Sequence, residues 1–122
     1  MNKPKILIVD DESGFTRLIK IALRKYEIRE ENDSLRALDV AREFHPDLIV
    51  LDVIMPGLDG GDVAAAIRVD PKLRHTPIIF LTATVSPKEA GTEPKLIGGY
   101  PFLAKPVSPA ALEKCIEENL RL

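Results

Sequence analysis

A chain of 122 residues, 45% apolar and 30% charged, is about one domain's worth of sequence with apolar side chains enough for one core, which excludes a disordered tail or a solvated linker. Seventeen Lys and Arg against nineteen Asp and Glu leave a formal charge of −2, too acidic a balance for a surface that binds nucleic acid directly. A single cysteine excludes a disulfide framework and a cysteine-clamped metal site. No apolar run approaches the ~18 residues of a membrane span, so a cytoplasmic protein without membrane insertion is expected.

Apolar, β-rich runs alternate with helical patterns along the chain. Lys5 to Val9 is a short apolar run closed by Asp10-Asp11, the pattern of a strand covered on both faces. Phe15, Leu18, Ile19, Ala22, Leu23 and Tyr26 then recur at helical spacing, predicting a helix over 13–25 with Ser13 or a preceding aspartate as its N-cap. Glu27 to Glu31 reads as a weak strand. Leu35, Leu38, Ala41 and Phe44 mark a second helix that must stop before Pro46. Asp47 to Leu51 is strongly apolar and closes with Asp52. A turn through Pro56 and Gly57 leads into a third helix over 60–69. Pro77 to Leu81 is a strand ending in Thr82, and Phe102 to Ala104 one ending in Lys105-Pro106. Ser108 then caps a last helix with Pro109 at its first position, and Leu112, Cys115 and Ile116 lie on one stripe.

This alternation predicts a parallel sheet with helices on both faces, joined by right-handed crossovers. Ligand sites in such sheets lie beyond the carboxyl ends of the strands. The residues that close the strands are Asp10-Asp11, Asp52, Thr82 and Lys105, so this topology gathers them around one crevice.

Three carboxylates, a hydroxyl and an ammonium around one point are a specific chemistry. At ~4 Å and an effective dielectric near 20, each carboxylate pair repels by about 4 kcal/mol, more than one lysine offsets. A site of carboxylates and a carbonyl favours a hard divalent ion, and Mg2+ suits it because it accepts a few protein oxygens with water and phosphate oxygens completing its shell. A carboxylate held beside such an ion can attack phosphorus, with Lys105 and Thr82 pairing with the phosphoryl oxygens. The residues thus predict a phospho-accepting aspartate. Taken singly, each has a plainer reading: Asp10 and Asp11 as helix caps, Asp52 as a turn residue, Thr82 as a satisfied hydroxyl, Lys105 as a solvated cation. Their shared place at the ends of successive strands argues against that. Cys115 reads as a small buried hydrophobe, and His45 and His75 have no second ligand nearby to make a metal site.

The stretches ILIVDDE (6–12), PDLIVLDVIMPGLDG (46–60), PIIFLTA (77–83) and FLAKPVS (102–108) together resemble the receiver domain of the bacterial two-component response regulators. They run nearly the whole chain in that family's order and spacing, so residues 1–122 are expected to form one receiver domain, apparently stand-alone. The resemblance implies an α/β fold, a doubly wound five-stranded parallel sheet in flavodoxin-like order 2-1-3-4-5. It implies Asp52 as the phosphorylated aspartate, with Asp11 as a direct Mg2+ ligand, Asp10 as one acting through water, and the backbone carbonyl of Ile54 as a further ligand. Lys105 is implied as the phosphate-pairing lysine, Lys105-Pro106 as a cis peptide, and Thr82 with Phe102 as the switch pair. Tyr100 competes for the aromatic role but stands at the wrong distance from Lys105. The implied partners are a sensor histidine kinase or phosphotransfer protein and a downstream protein target. The implied activity is that of a signalling domain that catalyses only its own phosphorylation and dephosphorylation.

The segment between Thr84 and Gly99 departs from the pattern. Ser86-Pro87 starts a helix well, but Gly91 and Pro94 interrupt it at costs of ~1 and ~3 kcal/mol, so the fourth helix is expected to be shortened or broken and followed by an irregular loop. That departure keeps one rival alive, a receiver-like interaction module that works without phosphorylation. Two other classes fare worse. An aspartate-based phosphatase would carry a second aspartate where Ile54 stands, and in a flavodoxin-like cofactor binder Asp10-Asp11-Glu12 would repel the phosphate.

Overall fold

The computed structural model describes residues 3–57, 59–83, 96–97 and 99–120. The first strand, β1 (Lys5–Val9), feeds α1 (Ser13–Ala22) and then β2 (Glu27–Glu31). A 3-10 turn over Ser34–Arg36 leads into α2 (Ala37–Phe44), followed by β3 (Leu48–Asp52), α3 (Gly60–Val69) and β4 (Ile78–Thr82). The chain ends with a two-residue strand β5 (Leu96–Ile97), β6 (Tyr100–Ala104) and α4 (Pro109–Asn119). The sheet order is β2-β1-β3-β4-β6-β5. The five longer strands are parallel and run in the expected 2-1-3-4-5 order; β5 pairs antiparallel with the start of β6. Among the described residues no helix is long and apolar enough to cross a membrane.

Strand pleating divides the core into two layers. Leu7, Val9, Ile49, Leu51, Ile78 and Phe80 face α2 and α3, while Ile6, Ile8, Leu48, Val50, Ile79 and Leu81 face α1 and α4. Burying each such side chain contributes about 1.5–3 kcal/mol, which is why these strands read as unbroken apolar runs. Two bonds at the base of the sheet fix the register of β1 and β3: the amide of Asp47 donates to the Lys5 carbonyl at 2.7 Å, and the amide of Lys5 donates to the Asp47 side chain at Oδ2, 2.8 Å away.

Three sequence expectations change. First, α1 ends at Ala22, and Leu18 and Ala22 of the predicted stripe are turned to solvent; the buried stripe is Thr16, Ile19 and Leu23. Second, its N-cap is Glu12, which makes no side-chain cap bond, because Ser13 already lies inside the helix and Asp10 Oδ1 accepts from the Glu12 amide at 2.9 Å. Third, β5 occupies part of the expected irregular loop, and Gly99 at φ +87° supplies the left-handed residue of the turn into β6. The expected shortening of a helix after Thr84 lies outside the described residues, whereas α4 is capped by Ser108 with Pro109 in its first turn, as its sequence predicts.

His45 closes α2 in the left-handed region at φ +54°, exposed and with its backbone amide bonded to the Ala41 carbonyl. That conformation strains a residue with a Cβ. His45→Gly is expected to stabilise the protein by about 0.5–1 kcal/mol in urea denaturation.

Candidate functional site

β1, β3, β4 and β6 end side by side, and each delivers a polar side chain or its backbone to the same rim. Asp10 follows β1, is fully buried, and is fixed on several sides. Its amide donates to the Glu31 carbonyl at 3.1 Å, and its carbonyl accepts from Asn32 Nδ2 at 2.8 Å. Asn32 also donates to Thr16 Oγ1 at 3.0 Å, tying the Asp10 backbone to α1. Asp11, next in the chain, is exposed. Asp52 closes β3 and is 4% exposed; its Oδ1 accepts a long 3.4 Å bond from the Ile54 amide. Ligand atoms of Asp10, Asp11 and Asp52 lie within 4.8 Å of one another.

Lys105 is placed by the sheet itself. Thr82 and Ala104 are register partners in β4 and β6, and the Lys105 amide donates to the Thr82 carbonyl at 2.8 Å. The Lys105-Pro106 peptide is cis, as expected. The ammonium stands 2.8 Å from Asp10 Oδ2, 2.6 Å from Glu12 Oε1 and 3.4 Å from Asp52 Oδ2. Burial pulls that ammonium down, but the contacts to Asp10 and Glu12 and the field of Asp10 and Asp52 outweigh it and hold Lys105 above its ordinary range. Burial and the neighbouring Asp10 charge push Asp52 up from 3.8 to about 6, against the pull of Lys105 and the Ile54 amide.

Among the described residues, Asp10, Asp11, Glu12 and Asp52 set four carboxylates against one ammonium. Asp10 Oδ2 is buried and, although Lys105 lies close, receives no directed hydrogen bond from the described residues. A buried, undirected carboxylate oxygen beside two further carboxylates fits a hard divalent cation held by oxygens, so the donor set suits Mg2+. A cleft of about 650 Å3 opens elsewhere, along the β2 edge beside Lys3, Tyr26 and Phe44; charge, not volume, marks the strand-end site.

Thr82 is fully buried at the end of β4. Phe102 is buried in β6, opposite Phe80 and two strand positions before Ala104, the register partner of Thr82. Tyr100 is engaged elsewhere: its hydroxyl accepts from Arg68 Nε at 2.7 Å and its ring meets Phe80 edge-on. Ile54 is 58% exposed beside Asp52.

Several residues that shape the site carry no such sequence signal. Ser34 Oγ, in the 3-10 turn, donates to the Pro56 carbonyl at 2.8 Å and braces the loop after β3. Gly60 begins α3 against the end of β3: a Cβ there would lie 2.5 Å from the Asp52 carbonyl oxygen and 2.9 Å from Val53 Cα. Both obstacles are backbone, so Gly60→Ala must displace α3 or the Asp52-Val53 peptide. It is expected to lower stability by about 1–3 kcal/mol in urea denaturation, a larger loss than for Gly61→Ala.

The family model of the response regulator receiver domain matches residues 6–117. The chain is 38% identical over 125 residues to the probable transcriptional regulator ycf27 of Porphyridium aerugineum, covering 99% of this chain and 50% of that protein. It is 37% identical over 112 residues to the response regulator PleD of Caulobacter vibrioides, covering 88% of this chain and 24% of that protein. The chain thus spans half or less of the length of these relatives. Among solved structures, the Vibrio cholerae chemotaxis protein CheY4 matches with a TM-score of 0.82 at 32% identity, covering 97% of this chain and 99% of that one. A response regulator from Desulfuromonas acetoxidans matches with a TM-score of 0.80 at 27% identity, covering 94% of each chain.

Proposed function

The chain belongs to the response regulator receiver domains, the signalling domains of two-component systems, and on that premise we propose that it takes a phosphoryl group onto Asp52 from a histidine kinase or phosphotransfer protein and then acts on a protein partner. The observation that carries the proposal is the buried Asp52 carboxylate, within 4.8 Å of Asp10 and Asp11 and facing Lys105 at 3.4 Å.

Asp52 is raised to about 6, so at neutral pH it is ionised and more basic than an ordinary aspartate. One of its oxygens bonds to phosphorus while the bond from phosphorus to the donor's imidazole nitrogen breaks. The electron pair leaves with that nitrogen, and the product is an aspartyl phosphate. Asp10, Asp11 and Asp52, with the Ile54 carbonyl, are the groups that would hold Mg2+. Bound there, the ion offsets the charge of the phosphoryl oxygens. Lys105 pairs with one phosphoryl oxygen as a point charge, and Thr82 donates to another. Thr82 and Phe102 share one end of the β4–β6 pair, and the ring is already buried, so a shift of the hydroxyl toward the phosphoryl group repacks the ring where it lies. Carrying such a switch from 1:99 to 99:1 takes about 5.5 kcal/mol, within reach of several charge-assisted bonds. In this reading residues 1–122 act as one receiver domain, cytoplasmic, with protein rather than nucleic acid as the direct partner.

Intact mass after incubation with acetyl phosphate tests the proposal. Wild type is expected to gain one phosphoryl adduct that requires Mg2+, and Asp52→Asn none. Absence of both the adduct and Mg2+ binding would overturn the proposal and favour a receiver-like interaction module that works without phosphorylation.

A further inference from the structure

Lys105 is held from the start of α1 as well as by the buried aspartates. Glu12 Oε1 accepts its hydrogen bond at 2.6 Å, and the Phe15 ring centroid lies 5.5 Å from the ammonium. The contact to Asp52, at 3.4 Å, is the longest of the three carboxylate contacts. Glu12 is fixed at its backbone: its amide donates to Asp10 Oδ1, and its carbonyl accepts from the amides of Phe15 and Thr16. It is the N-cap residue of α1, yet its side chain caps nothing. Glutamate is one methylene longer than the aspartate that caps well, and that extra length carries its carboxylate across to a lysine 93 positions away.

We infer that Glu12 is a positioning residue for phosphoryl transfer, a latch that keeps the Lys105 ammonium on the α1 side of the cleft until a phosphoryl oxygen competes for it. This rests on the reading of Asp52 as the acceptor. The latch is built to yield. The Glu12 side chain is 62% exposed whereas that of Lys105 is 14% exposed, so water weakens the bond from the glutamate side. A phosphoryl group on Asp52 brings more negative charge than Glu12 into the more buried side of the cleft, where it is less screened. Every phosphorylation must nonetheless break the Glu12 bond, so Glu12 slows the step that Lys105 assists.

Two substitutions separate a latch from general repulsion of the donor. Glu12→Ala removes both charge and reach. Glu12→Asp keeps the charge but is too short for Lys105 and can cap the free amides of the first α1 turn. Phosphorylation by acetyl phosphate with Mg2+ is followed by intact mass, and the Lys105 ammonium is observed by proton–nitrogen NMR in metal-free protein. Both variants are expected to be phosphorylated about two- to five-fold faster than wild type, the range set by a partly exposed ion pair. Both are expected to lose the exchange-protected Lys105 signal of wild type, with no fall in melting temperature. Acceleration in Glu12→Ala alone overturns the latch in favour of charge repulsion, and acceleration in neither overturns it outright. No protected signal in wild type, or one that persists in Glu12→Asp, also overturns it. Wild type that forms no adduct and binds no Mg2+ overturns the acceptor reading instead, and the NMR comparison then decides whether Glu12 holds the ammonium.

Discussion

In metal-free protein at pH 7, Asp52→Asn is expected to raise the free energy of unfolding by up to about 3 kcal/mol, although it removes the proposed acceptor. The Asp52 carboxyl titrates at 3.8 when unperturbed and at about 6 in the folded chain, a difference worth about 3 kcal/mol. The folded state therefore binds the proton more tightly than the unfolded state does. Below pH 4 both states are protonated and the carboxyl costs nothing. The cost grows as pH rises from 4 to 6 and is full above 6. The gain from asparagine should accordingly be largest at neutral pH and vanish toward pH 4, as urea denaturation in chelator would measure. Mg2+ should reverse the ranking, because it stabilises only a folded state that binds it and asparagine brings no charge to the site. Equal stability of the two proteins at pH 7 in chelator would mean that Asp52 is not strained by its surroundings.

Asp10, Asp52, Thr82 and Lys105 could be found in the sequence for one physical reason. Each terminates an apolar run, and a parallel sheet brings the ends of such runs to one rim. Buried strands are marked by composition over five residues, so the parallel sheet and the rim at its strand ends were within reach, while the 2-1-3-4-5 order came with the family resemblance. The features the sequence concealed are those made by contact between distant or non-periodic positions. Glu12 is a strand-end acid like its two neighbours until its length is set against a lysine 93 residues away. Gly60 reads as a helix start, and only its approach to the Asp52 carbonyl shows that a side chain does not fit there. A two-residue strand such as β5 is too short to carry a period at all. Leu18 and Ala22 belong to the apolar pattern of α1 yet face solvent, because hydropathy records composition and not which part of a wide stripe the sheet covers.

Lys105→Met is expected to lower the stability of metal-free protein by about 2–4 kcal/mol at pH 7, since removing one partner leaves the buried carboxylates of Asp10 and Asp52 uncompensated. A proton limits the damage. Lys105 is among the groups holding Asp52 down, so its loss moves that carboxyl further above 6 and toward protonation near neutrality. The loss should therefore be smaller at pH 5 than at pH 7. Mg2+ should stabilise Lys105→Met more than it stabilises wild type, because the ion then meets the same carboxylates without a competing ammonium. Urea denaturation with chelator and with Mg2+, at both pH values, measures each of these. Combining Lys105→Met with Asp52→Asn is decisive, since the two charges are in direct contact and their effects cannot add. With Asp52 neutral, Lys105 is left with Asp10 and Glu12, and its removal should cost less than it does in wild type. A cost for Lys105→Met that is unchanged by Asp52→Asn would show that the ammonium serves Asp10 and Glu12 alone, and its assignment to the phosphoryl group would fall with it.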